Sequence, residues 1–220
     1  MPIDHEIDSR NKNIQIYING SFYHRDEAKI SVYDSGFLMG DGIWEGLRLI
    51  NNKWIFIDEH IDRLFEGCKA IDLDIKMTKE DIVNALDETK AINNMSNEVH
   101  ARLMITRGNK SKPFQQPHLS ESGINIVIIM EHSKPNTDLK NITMATVPQV
   151  RGMPMSQDPK LNSHSKLNCI LACIQANKLG ADEALMLDPL GFVNTTNSCN
   201  FFIVKNNQVW TSTGDYCMNG

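Results

Sequence analysis

The chain has 220 residues, 41% of them hydrophobic and 22% charged, and a formal charge of −5. That composition supplies a real core, excludes a disordered chain, and leaves no cation excess of the kind that nucleic acid binding needs. At about 150 residues per domain, the length allows one large domain or two small ones. The most apolar stretch, Ile124–Met130, is broken by Asn125 and is far short of a membrane span. The first residues show neither a basic start nor an apolar run, and the five cysteines lack CxxC spacing. Free thiols in a cytoplasmic protein are the expectation.

In chain order, Ile14–Ile18 reads as a strand running into Asn19-Gly20, a strong hairpin signal. Lys29–Tyr33 alternates again, and Ile43–Ile50 pairs with Trp54–Ile57 across Asn51-Asn52-Lys53. Asp58 reads as the N-cap of a helix carrying Ile61, Leu64, Phe65, Cys68 and Ile71 at helical spacing. Thr78 caps a second helix to Ala91, with Glu80 and Asp81 at its positive end. Strands follow at His100–Thr106 and Ile124–Met130. His132–Asp138 has the composition of a linker. Beyond it come a strand at Ile142–Val147, a helix at about Leu167–Leu179 closed by Gly180, and a strand at Ala184–Leu187. The turn Asp188–Gly191 and strands near Val193, Phe201–Val204 and Gln208–Thr211 complete the chain. The fold class is α+β in two domains, 1–133 and 138–220.

Several residues carry chemistry, each beside a duller reading. Gly40-Asp41-Gly42 lacks the third glycine of a dinucleotide loop and reads as a tight turn between strands. Seven scattered histidines show no metal-ligand spacing, and Cys169 and Cys173, i and i+4 on one helix, read as small core residues. No metal site is expected. Arg63 is either a surface arginine or a bidentate phosphate ligand. Lys166, at the start of the Leu167–Leu179 helix, is either a snorkelling lysine or an amine nucleophile made reactive by burial. The run Asn194–Ser198, with Thr195 and Thr196, reads as a polar turn or an anion cradle. Arg102 and Arg107 either receive substrate carboxylates or pair with acids of the protein.

Taken together, Val32–Arg48 (VYDSGFLMGDGIWEGLR) resembles the N-terminal signature of the fold-type IV pyridoxal-phosphate enzymes. Asp58–Leu64 resembles their first helix, and Gly180–Ala184, Gly191–Val193 and Asn200–Phe202 resemble blocks of their second domain. The resemblance runs from about Ile14 to Gly220 and is strongest to branched-chain amino-acid aminotransferases. It implies a homodimeric transaminase that moves the amino group of an aliphatic amino acid to 2-oxoglutarate. The family alternatives are a D-amino-acid aminotransferase and an aminodeoxychorismate lyase; a member without catalysis, serving in binding or regulation, is a third.

The resemblance also implies roles. Lys166 holds the aldehyde of pyridoxal 5′-phosphate, Arg63 its phosphate, and Thr195 and Thr196 the surroundings of its ring or phosphate. Trp44 lines the substrate pocket, and Arg102 or Arg107 receives carboxylates. An ungapped overlay on Ala176 and Gly180 puts the family's lysine at Asn162, so Lys166 serves from about one helical turn later, with Lys160 a weaker substitute. The family's glutamate against the pyridine nitrogen is Thr195 here. The second domain is expected to be incomplete at its C-terminal side.

Overall fold

The computed structural model describes residues 8–134 and 141–218. They form two compact units, one of 8–134 with 163–165 and the other of 141–162 with 166–218. Residues 135–138 of the expected linker lie outside the described residues.

In the first unit, β1 (Gln15–Ile18) and β2 (Ser21–His24) form a hairpin. Asn19 and Gly20 turn it with φ of 51° and 87°, the positive pair that a two-residue turn of this twist requires. Then come α1 (Ser35–Met39), β3 (Gly42–Ile50), β4 (Lys53–Trp54), α2 (Ile57–Ala70), α3 (Lys79–Ile92), β5 (Val99–Thr106) and β6 (Asn125–His132). The six strands lie in the order β2-β1-β6-β5-β3-β4, and every pairing is antiparallel.

Strand alternation sets the two faces of this sheet. The odd-numbered residues of β3 and β5, among them Ile43, Leu47, Leu49, Leu103 and Ile105, are buried. On the helices, Ile61, Leu64 and Cys68 of α2 and Ile82, Ala85 and Leu86 of α3 are buried at helical spacing. The even-numbered Trp44, Gly46, Arg48, His100, Arg102 and Met104 share the opposite face and are only half-buried. One face of the sheet is packed and the other open, as antiparallel sheets permit.

Three local readings of this unit are corrected. Lys29–Tyr33 is not a strand: no described strand pairs with it, and Ile30, Val32 and Tyr33 are exposed. Phe56, at φ 53°, is the N-cap of α2, and Asp58 instead lies in the first turn with Glu59, against the positive end of the helix. Gly40-Asp41-Gly42 joins a helix to a strand. Asp34 caps α1 by accepting the Phe37 amide at 3.0 Å, and Gly40 closes it at φ 70°. At α3, Thr78 is the N-cap that the sequence predicts, and with Asp81 it forms a reciprocal capping box.

The second unit contains β7 (Met144–Thr146), α4 (Pro154–Gln157), α5 (Leu167–Lys178), β8 (Glu183–Leu187), β9 (Val193–Thr196), β10 (Phe202–Lys205) and β11 (Gln208–Thr211). β8 is parallel to β7 and antiparallel to β9, while β10 and β11 form a separate hairpin. Its core is small: Val147, Ala172, Ala176, Ala181, Ala184 and Met186. Gly180 follows α5 at φ 75°, as a C′ glycine should. Two corrections apply here as well. The first half of the Asn194–Ser198 run is strand, because β9 pairs with β8. Cys169 and Cys173 are half-buried on α5 rather than core residues, and all five thiols are free.

Candidate functional site

Trp44 and Arg102 meet on the open face of the first unit. The Arg102 guanidinium carbon lies 4.1 Å from the Trp44 ring centroid. Trp44 is itself held by a hydrogen bond from Nε1 to the Ser163 carbonyl at 3.2 Å. Among the described residues, Arg102 has neither a hydrogen bond nor an ion pair. Burial alone therefore moves its pKa, to below the usual arginine value. A stacked, partly desolvated guanidinium without an acid is a strong receptor for a carboxylate. It borders a pocket of about 340 Å³, with Ile16, His100, Ile129, Arg25 and Glu131 in its walls.

On the packed face, the charges are closed on one another. Arg63 of α2 donates from Nε to Glu45 Oε1 at 2.8 Å and from Nη2 to Glu45 Oε2 at 2.7 Å. His60 Nδ1 lies 2.8 Å from the same Oε2. Glu45 is completely buried. Burial would raise its pKa, but the hydrogen bonds from Arg63 and then His60 outweigh that and hold it below the usual glutamate value. Hydrogen bonding to Glu45 in turn raises the pKa of Arg63.

Arg107 is not placed to receive a substrate carboxylate, and that expectation is corrected. Its Nε and Nη2 donate to the two Asp41 oxygens at 2.8 and 3.1 Å. Nη2 also reaches the Ile71 carbonyl and Nη1 that of Asp72, both just past the end of α2. The guanidinium thus braces the turn before β3 against α2.

In the second unit, Lys166 is half-buried at the N-cap of α5. The stretch from Asn162 to Lys166 is not a helical turn. Ser163 bridges Ile43, and the His164 amide donates to the Gly42 carbonyl at 2.9 Å, so the chain runs extended along the start of β3. Asn162 and Asn194 are buried, and the Oδ1 of each lacks a hydrogen-bond partner among the described residues. The Thr195 and Thr196 hydroxyls both donate to the Cys199 carbonyl, at 2.6 and 3.0 Å, and close the turn after β9.

The structure therefore brings Trp44 to Arg102 in one unit, and holds Lys166, Thr195 and Thr196 in the other. The sequence reading missed Glu45, His60 and His100. Glu45 had a legible signal: a carboxylate at a core-facing position of β3 demands a cation, and His60 and Arg63 stand i and i+3 on the helix that follows. Among the described residues, no group of three or more His, Cys, Asp or Glu is placed to hold a metal ion. No described helix is long and apolar enough to cross a membrane.

Comparison with known proteins gives the class to which the chain belongs. Residues 42–220 match the family described as Amino-transferase class IV, and the chain belongs to it. The chain is similar to branched-chain-amino-acid aminotransferase-like protein 2 of Arabidopsis thaliana, with 36% identity over 211 residues. That match covers 96% of this chain and 38% of the plant protein. It is also similar to a putative branched-chain-amino-acid aminotransferase of Methanocaldococcus jannaschii, with 37% identity over 195 residues, or 88% of this chain and 66% of that protein. Among solved structures, a branched-chain amino acid aminotransferase complexed with N-(5′-phosphopyridoxyl)-L-glutamate superposes with a TM-score of 0.84 at 23% identity. It shares the fold over 95% of this chain and 70% of its own length.

Proposed function

We propose that the protein transfers the amino group of an aliphatic, branched-chain-like amino acid to 2-oxoglutarate, using pyridoxal 5′-phosphate, as a cytoplasmic homodimer. The observation that carries this reading within the class is Arg102: a half-buried cation stacked on Trp44, with no acid of its own among the described residues. A carboxylate-bearing substrate supplies the missing charge, while Trp44, Ile16 and Ile129 offer apolar surface to an aliphatic one.

The residues present fit the cofactor. Lys166 supplies an amine and Arg63 a guanidinium, and the buried, unpartnered Asn162 and Asn194 oxygens are acceptors for N–H or O–H groups of a bound molecule. When bound, the cofactor supplies an aldehyde for the amino group and a ring that takes up the electron pair left at the substrate Cα. Lys166 Nζ would hold that aldehyde and would move a proton at the substrate Cα. Arg63, oriented by its hydrogen bonds to Glu45, would hold the phosphate. Trp44 and Arg102 orient the substrate. A second reading, a family member without catalysis, is favoured by Thr195, whose hydroxyl is spent on Cys199 where the family's glutamate is expected.

The test is an absorbance spectrum with added pyridoxal phosphate, followed by borohydride reduction and peptide mapping. A reducible adduct on Lys166, together with amino-group transfer from leucine or valine to 2-oxoglutarate, is the expected result. An adduct on Lys160 moves the site. Absence of any adduct in the folded protein overturns the enzymatic reading in favour of the second. Exclusive turnover of D-alanine overturns the branched-chain assignment.

A further inference from the structure

The open face of the sheet carries a second group that the function above leaves unused. His100 lies two residues before Arg102 on the same face of β5, and its imidazole borders the same pocket of about 340 Å³. Gly46 on β3 makes room for it: a Cβ there would stand 3.1 Å from His100 Nε2 and 3.5 Å from the Trp44 ring. The charged groups around it come from four places. Arg48 faces it from β3, Arg102 from its own strand and Glu131 from β6, while Arg25, just beyond β2, lies 4.0 Å from Glu131. Arg48 donates to the Ser133 carbonyl. Among the described residues the imidazole has no hydrogen-bond partner, so neither ring nitrogen is committed.

We propose that His100 couples carboxylate binding at Arg102 to uptake of a proton. This rests on the assignment of Arg102 as the carboxylate receptor. Burial, then the positive charges of Arg48 and Arg102, lower the pKa of His100 from its ordinary 6.5 and keep the ring neutral at pH 7. An aliphatic side chain leaves it neutral. A carboxylate placed beside Arg102 cancels the repulsion, raises the pKa of the imidazole and gains a second charged donor. Because the bound state holds the extra proton, affinity for a carboxylate rises as pH falls.

The experiment titrates the full chain with glutarate by calorimetry between about pH 5.5 and pH 8.5, in phosphate and in Tris. The different ionisation heats of the two buffers count the protons bound. The expected result is proton uptake on binding, with affinity rising by up to about tenfold per pH unit between the bound and free pKa values. His100→Gln retains binding but loses the uptake and the slope, whereas Arg102→Gln loses binding. Equal heats in both buffers with binding still dependent on Arg102 overturn the role of His100 alone. Glutarate binding that ignores Arg102→Gln, or no binding at all, overturns the Arg102 assignment beneath it. If His100→Gln does not fold, the ring proton shifts of His100 in the unsubstituted protein decide: its pKa must rise on adding glutarate, and an unchanged value sinks the proposal.

Discussion

The two faces of the six-stranded sheet carry charge in opposite ways. On the packed face, Glu45 is fully buried and bonded twice by Arg63 and once by His60. On the open face, Arg102 is half-buried and rests on Trp44, with no acid among the described residues. Residues of the paired strands β3 and β5 are thus treated differently, because successive side chains on a strand point to opposite faces. A charge on the packed face must bring its partner with it, since a lone buried charge costs several kcal/mol. A charge on the open face can be left for a ligand. The comparison teaches that unpaired charge, rather than charge itself, marks the side of this sheet on which a substrate carboxylate is expected.

The largest effect should come from breaking the closed pair. Arg63→Ala leaves Glu45 buried without its guanidinium and is expected to cost about 3–5 kcal/mol, measured by urea unfolding. A loss below about 1 kcal/mol would show that Glu45 takes up a proton or finds other partners. The same pair predicts an acid limb. Glu45 has its folded pKa below the ordinary 4.5, so its contribution is present above that value and is lost as pH falls through the lower, folded one. In Glu45→Gln this part of the pH dependence should flatten, which melting temperatures across the acid range will reveal.

Arg107→Gln should come next, at about 2–3 kcal/mol, because it releases both Asp41 and the carbonyls at the end of α2. Its effect should fall on stability, with the KM for 2-oxoglutarate unchanged. Arg102→Gln is the converse: a stability change within about 0.5–1 kcal/mol, since a cation–π contact is lost but an unpaired charge is relieved. In steady-state kinetics it should raise the KM for 2-oxoglutarate by about 10- to 100-fold. Equal stability losses in Arg107→Gln and Arg102→Gln would erase the distinction between the two faces. The smallest effect is expected for Gly46→Ala, whose Cβ presses on the His100 ring from 3.1 Å. Stability should change little, while the His100 ring signals shift in an NMR spectrum.

What the sequence by itself determined is what short-range rules control. Asn19-Gly20 had to turn a hairpin, since few pairs accept positive φ at both positions. Thr78 and Asp81 had to start a helix, and Gly180 had to end one. The ordered blocks around Val32–Arg48 and Asp58–Leu64 gave the family, because a motif is local in the chain. What only the tertiary structure decided is which distant partner each side chain meets. Lys29–Tyr33 alternates like a strand yet has no described strand beside it, so its pattern buries nothing. Arg63, Arg102 and Arg107 looked alike as candidate anion ligands. They separate only when Glu45 and Asp41 are found against the first and the last, and Trp44 beneath the second. The segment before Lys166 reads as a polar loop, and only the fold shows hydrogen bonds to Gly40 and Gly42, more than a hundred residues away, holding it along β3. The physical reason is one of range. Backbone preference acts over a few residues, whereas the pairing of buried charge is settled by strands and helices that meet only when the chain has folded.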